Sequence, residues 1–199
     1  MSQHFEIIDS TVVYNGFFKL ERYRLKHGLF AGGMTPEMTR ELLRRGRVAA
    51  VLPYDPALDA VVLVEQFRIG AIDAPNGAWL MEVVAGVAEP QEAVADVAHR
   101  EAREEAGLQL QELMRICDYY PSPGMSSELV SLYCARVDAS DAGGLHGLDE
   151  ENEDIRAHVL PFDEAMDMLD NGIINNAMPI IALQWLALNR ERLLDLWDK

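Results

Sequence analysis

A glycine, five residues, a glutamate, seven residues and then Arg100-Glu101-Ala102-Arg103-Glu104-Glu105-Ala106-Gly107-Leu108 is the stretch that most limits how this 199-residue chain can fold. The glycine is Gly86 and the first glutamate Glu92. Glu89-Pro90-Gln91-Glu92 reads as a helix entry, because proline in a first turn lacks only an amide that has no helical partner. Alanine, glutamate and arginine follow with few β-branched side chains, which predicts a helix over residues 91–106. Gly107 can take the left-handed conformation that ends helices. Val94, Val97 and Ala98 form an apolar stripe on that helix. Continued by steps of three and four, the stripe runs into Glu101 and Glu105, with Glu104 alongside. Like charges one turn apart cost about 0.2–0.5 kcal/mol per pair. Arg100 reaches Glu104 at the same spacing, while the other two carboxylates want a cation.

Most glutamate-rich helices are solvated faces. These glutamates continue the apolar stripe instead of opposing it, and glycines bracket the helix at definite places. Gly86, Glu92, Arg100, Glu101, Glu104, Glu105 and Gly107 resemble the Nudix box, the signature of hydrolases that split nucleoside diphosphates linked to another moiety. Ala102, small for its site, and Leu108 stand at the variable apolar positions. Hard divalent cations prefer oxygen ligands and bind through a few carboxylates plus substrate phosphates. The resemblance makes Glu101 and Glu105 the principal ligands of Mg²⁺, two or three ions per site with Mn²⁺ able to substitute. It adds the Ala85 carbonyl, leaves Glu104 as ligand or orienting group, and gives Glu92 the positioning of Arg100. Gly86 and Gly107 are then structural.

A formal charge of −16 argues against nonspecific nucleic-acid binding. Hydrophobic residues make up 49% of the chain, enough for a substantial core. Cys117 and Cys134 do not suggest a disulfide framework in a chain of this length. The start, MSQHFEIIDS, lacks the basic end and apolar core of a signal peptide. The longest uncharged run, residues 171–189, is broken by Asn175, Asn176, Pro179 and Gln184, and falls short of the ~20 apolar residues of a membrane span. The expectation is a cytoplasmic protein with neither nucleic-acid nor membrane partners.

Strands are expected at residues 5–14, 17–26, 39–44, 48–53 and 60–67, with Asn15-Gly16 a strong hairpin signal. Residues 1–46 read as a small β-subdomain, too small to bury much surface alone, ahead of a catalytic domain over 47–199. A strand over 79–85 leads into the box helix, and strands at 108–119 and 129–136 follow. The long polar segment 137–155 is of a length usually functional or disordered. A strand at 155–160 and helices at 163–169 and 177–197, the second open to interruption, complete the chain. Strands mixed with helices imply an α/β/α sandwich around a mixed sheet; with the box, the expectation is a Nudix fold with a small N-terminal antiparallel β-subdomain.

The second acidic cluster, Asp149-Glu150-Glu151-Asn152-Glu153-Asp154, would by itself be a solvated segment. Opposite a metal-binding helix, a carboxylate there gains a use as the base that takes water's proton. GLHGLDEENEDIRAHV resembles the corresponding loop of the ADP-ribose-hydrolysing Nudix branch, which makes Glu151, among neighbours Glu150 and Glu153, the base and Glu153 a further metal-site residue. EQFRIGA at residues 65–71 and NNAMPIIALQWL near the C-terminus resemble the same branch. So does Pro123, fifteen residues after Leu108. Arg40 and Arg68 match its phosphate and substrate arginines, whose planar donor fork suits the task. For Arg40 a plain surface strand charge is an equal reading. Ser122 and Glu128 resemble groups on the substrate's sugar and phosphate side. Phe17 is a candidate adenine stacker, although an aromatic in an amphipathic strand is more often core. The resemblance also implies a homodimer whose chains exchange N-terminal elements.

The implied reaction is Mg²⁺-dependent hydrolysis of ADP-ribose to AMP and ribose 5-phosphate. The rival within the family acts on another nucleotide sugar such as GDP-mannose, and relative kcat/KM discriminates the two. A nucleotide-sensing regulator of the same fold is the rival from another class. Such modules commonly lose box glutamates, and this chain keeps all of them.

Overall fold

Alternate residues of two neighbouring strands are buried on opposite faces, and this sets the architecture of the larger part of the molecule. The computed structural model describes residues 4–148, 150 and 152–197. In chain order the strands are β1 (Phe5–Asn15), β2 (Lys19–His27), β3 (Met38–Arg44), β4 (Arg47–Asp55), β5 (Ala60–Phe67), β6 (Trp79–Glu82), β7 (Val84–Val87), β8 (Leu113–Tyr119), β9 (Leu129–Arg136), β10 (Gly144–His146) and β11 (Ile155–Pro161). The helices are α1 (Val94–Ala106), α2 (Phe162–Asp170) and α3 (Ala177–Trp197). The chain divides into two compact units, residues 1–46 with 120–129, and residues 47–119 with 130–199.

In the larger unit the main sheet runs β10-β11-β5-β4-β9-β8, with β6 paired to β5 and β7 to β4. Ala49 and Val51 of β4 and Val62 and Val64 of β5 pack on Val97, Ala98, Ala102 and Ala106 of α1. Their alternates Ala50, Leu52, Tyr54, Val61 and Leu63 face Phe162 of α2 and Leu183, Leu186 and Leu193 of α3. Burial of one such aliphatic side chain stabilises by roughly 1.5–3 kcal/mol. Two apolar faces need two helical layers, hence an α/β/α sandwich around a mixed sheet. Cys117 and Cys134 are free thiols. Among the described residues no helix is long and apolar enough to cross a membrane.

The smaller unit is an antiparallel sheet β1-β2-β3. Lys19, Tyr23 and Arg44 converge on the buried Glu21 carboxylate, and the Arg44 hydrogen bond above all holds it down at about 2. Residues 120–129 join this unit along β3. Leu43 N–H donates to the Met125 carbonyl at 2.8 Å, and Ser127 N–H to the Leu43 carbonyl at 3.1 Å.

Several expected boundaries are corrected. Helix α1 starts at Val94, not Gln91, because Gln91 has φ 77° and cannot be helical. Glu89–Glu92 is instead a turn, closed by Glu92 N–H on the Glu89 carbonyl at 3.0 Å. The strand expected over 79–85 is two strands, since the chain leaves β5 after Glu82 and pairs with β4 from Val84. β8 begins at Leu113, after residues that leave the helix cap irregularly. Phe17 lies in the turn before β2 and is 93% exposed, so it is neither strand nor core. The long polar segment contains β10, paired with β11, and α3 is continuous, with Pro179 in its first turn.

Candidate active site

The acidic end of α1 meets β7, and the geometry there follows from two glycines. Gly107 takes φ 65° and caps α1, its N–H on the Arg103 carbonyl and that of Leu108 on the Ala102 carbonyl. Gly86 in β7 lies so close to Glu101 that a Cβ on it would overlap the Glu101 carboxylate outright. The absent side chain is therefore the space that Glu101 occupies.

Glu105 is only 3% exposed. Its carboxylate accepts the Ala85 amide at 3.1 Å. Burial pushes its pKa up to about 8, and the Glu101 and Glu153 charges add to the rise, while the Ala85 amide and Arg68 oppose it. Burial also raises Glu101, against the pull of Arg100. Arg100 holds three carboxylates at once: Glu92 from Nε at 3.1 Å, and Glu101 and Glu104 from Nη1 at 2.7 and 3.0 Å. These partners, Glu92 foremost, raise its own pKa against desolvation. Glu92 in turn accepts the Glu89 amide at 3.0 Å, so the turn before α1 is tied to the same arginine.

Arg68, just past β5, forks onto Glu82 of β6, with Nη2 at 2.8 Å and Nε at 3.1 Å from Oε2. Its charge is felt at Glu105, so Arg68, Glu105, Glu101 and Glu153 share one electrostatic neighbourhood. Glu151 lies outside the described residues. Arg40, Ser122, Glu128 and Phe17 belong to the smaller unit. There Arg40 is exposed on β3, with Nη1 donating to its neighbour's carbonyl, Thr39, at 2.8 Å. The Ser122 carbonyl accepts the Met125 and Ser126 amides at 3.1 and 2.9 Å. Glu128 accepts Arg45 Nε at 3.0 Å. Phe17 stacks edge-on against Phe18, with ring centroids 4.8 Å apart.

Glu82 was not singled out by sequence reasoning, yet it fixes the guanidinium of Arg68. Arg45, which holds Glu128, was also passed over. The one signal for Glu82 was its place in WLME, where strand alternation sets it on the face of Val64 and Gln66.

The donor set suits a hard divalent cation. Every side-chain donor is a carboxylate oxygen, and a buried carboxyl pushed up to about 8 gains its ionised form when a cation arrives. Among the described residues no three acidic, histidine or cysteine side chains converge on one point. Glu101 and Glu104 are turned onto Arg100, and Glu105 onto Ala85.

Residues 44–180 match the family model described as NUDIX domain. An ADP-ribose pyrophosphatase of Escherichia coli is 47% identical over 192 residues, 96% of this chain and 92% of that protein. One from Haemophilus influenzae is 44% identical over 200 residues, 99% and 92% of the two chains. A GDP-mannose pyrophosphatase of Cronobacter sakazakii is 31% identical over 195 residues, 94% and 97% of the two. A crystal structure of an ADP compounds hydrolase superposes with a TM-score of 0.71 over 94% of this chain and 95% of that one, at 20% identity, a likeness of fold. With the box glutamates on α1 and the matching sandwich, the chain belongs to the NUDIX domain family.

Proposed function

We propose that this chain is a divalent-metal-dependent hydrolase that cleaves the diphosphate of ADP-ribose to AMP and ribose 5-phosphate. The observation that carries the reading is the buried Glu105 carboxylate, set among Glu101, Glu153 and Arg68. The relatives named ADP-ribose pyrophosphatase, 44–47% identical, support that substrate over GDP-mannose, whose named hydrolase is 31% identical.

We assign Glu101 and Glu105 as principal ligands of Mg²⁺, two or three ions, with Glu104, Glu153 and the Ala85 carbonyl as further ones. Such a cation, when bound, neutralises diphosphate charge and lowers the pKa of water. Arg68 contributes a planar donor fork to a phosphate, and Glu82 keeps that fork aimed. Arg100 holds Glu101 and Glu104 in place and limits their repulsion. Glu151 is kept as the proposed base. The water oxygen joins the adenosyl phosphorus, the bridging P–O bond breaks towards the terminal ribose phosphate, and Glu151 takes the water's proton.

Arg40, Ser122, Glu128 and Phe17 are kept as substrate contacts, in a homodimer that exchanges N-terminal elements, in the cytoplasm. Support for the dimer comes from β1, where Phe5, Ile7, Val12 and Tyr14 are 46–64% exposed.

Hydrolysis in ¹⁸O-water tests the reaction. The label is expected in AMP, and label in ribose 5-phosphate would reverse the direction of attack. ADP-ribose, GDP-mannose and NADH compared with Mg²⁺ test the substrate. No magnesium-dependent AMP release from ADP-ribose would overturn the reading, and a higher kcat/KM for GDP-mannose would favour the rival hydrolase.

A further inference from the structure

Gly147 stands between the acidic loop and helix α1, and three features of its surroundings act together. Its backbone has φ 100°, a region side chains rarely enter. A Cβ there would sit 2.7 Å from the Glu153 carbonyl oxygen and 2.9 Å from the Glu153 Cβ. Its N–H donates to the Glu104 carbonyl at 3.3 Å, on the turn of α1 that carries the acidic face. Glu153 N–H closes the same loop onto the Leu148 carbonyl at 3.2 Å.

We infer that Gly147 is a positioning residue, the point at which the loop is pinned to α1 so that Glu153 is held beside the turn that carries Glu104 and Glu105. The inference rests on the hydrolase reading above. A side chain at this position meets backbone, which cannot swing aside as a flexible side chain would. Glu153 must then shift relative to Gly147 and to α1. Misplacement by about 1 Å is enough to cost ~100-fold in rate.

Gly144 provides the control. It shares the left-handed backbone, with φ 99°, in the same segment, but nothing lies within 4 Å of a Cβ placed on it. Gly147→Ala and Gly144→Ala therefore carry similar backbone strain, and the first alone carries the collision.

The test compares both variants with the wild type for ADP-ribose hydrolysis and for direct Mn²⁺ binding by electron paramagnetic resonance. For Gly147→Ala, kcat is expected to fall by ~30-fold or more with KM within ~3-fold, and Mn²⁺ to bind ~10-fold more weakly. Gly144→Ala should stay within ~3-fold of wild type in all three. Wild-type kcat and Mn²⁺ affinity in Gly147→Ala, or equal losses in Gly144→Ala, would overturn the inference. Should Gly147→Ala fail to fold, the wild type decides. Substoichiometric Mn²⁺ is expected to broaden the Gly147 and Glu153 amide resonances but not those of α3, and unbroadened Gly147 and Glu153 amides would refute the placement. A wild type that releases no AMP sinks the hydrolase reading, while the Mn²⁺ measurements still judge Gly147.

Discussion

The Ala85 amide donates to the Glu105 carboxylate across 3.1 Å, tying β7 to α1 at the buried end of the acidic face. That single bond does not balance burial, which pushes the Glu105 carboxyl from 4.5 to about 8. A carboxyl raised on folding contributes stability that is fully present below its unfolded pKa and is lost as pH rises through its folded one. Without divalent cations, stability should therefore decline between about pH 4.5 and 8. Each pKa unit corresponds to about 1.4 kcal/mol, so the decline attributable to Glu105 is on the order of a few kcal/mol. Urea unfolding in chelator across this range is expected to show it, and Glu105→Gln to flatten it. Mg²⁺ added at pH 8 should restore stability to the wild type and much less to the variant. An unchanged slope in Glu105→Gln would assign the decline to other groups.

Arg100 is the sole arginine bonded to Glu92, Glu101 and Glu104 among the described residues. Its removal leaves mutually repelling carboxylates on one helical turn. Arg100→Ala is expected to lower kcat/KM for ADP-ribose by ~10–100-fold, the range for groups that orient metal ligands. Arg100→Lys should recover little, because an ammonium is a point charge and cannot span three carboxylates with a planar fork. Steady-state kinetics against Mg²⁺ concentration provide the check. Full recovery by lysine would reduce the role of Arg100 to charge alone.

What could be read in the sequence was what short-range pattern carries. β5 and β9 fall where alternation and β-propensity put them, residues 60–67 and 129–136. The stripe on α1 foretold that glutamates would turn inward, and Glu105 is buried. What escaped was decided by partners distant in sequence or by single dihedrals. Nothing local shows that Gln91 takes φ 77° and delays the helix by three residues. The break after Glu82 depends on which neighbour each half of the segment pairs with. The Arg68–Glu82 fork joins residues 14 apart, and no spacing rule links them. The pairing of residues 125–127 with Leu43 spans more than eighty residues and left no local signal.

The three atoms that a Cβ on Gly86 would meet first all belong to the Glu101 side chain. An alanine there meets the Glu101 side chain from carboxylate to Cγ before any backbone, so that side chain yields ahead of the strand and gives up its bond to Arg100. Gly86→Ala should therefore fold with a melting temperature close to wild type, yet lose ~100-fold or more in kcat through displacement of one carboxylate. Circular dichroism and turnover measured on the same preparation test the pair of outcomes. A large loss of stability would mean that the strand, and not Glu101, yields to the methyl group.

Arg68 is held by three hydrogen bonds to Glu82, which fix the direction of its guanidinium. A hydrogen bond to a charged group contributes about 1.5–3 kcal/mol, which is ~10–100-fold in affinity. Arg68→Ala is expected to raise KM for ADP-ribose by that factor and to change kcat less. Glu82→Gln keeps the shape but weakens the fork, and it should raise KM by a smaller factor, ~3–10-fold. Combined, the two changes should cost little more than Arg68→Ala alone, because Glu82 acts through the arginine. Additive losses in that double-mutant cycle would instead give Glu82 its own contact with substrate.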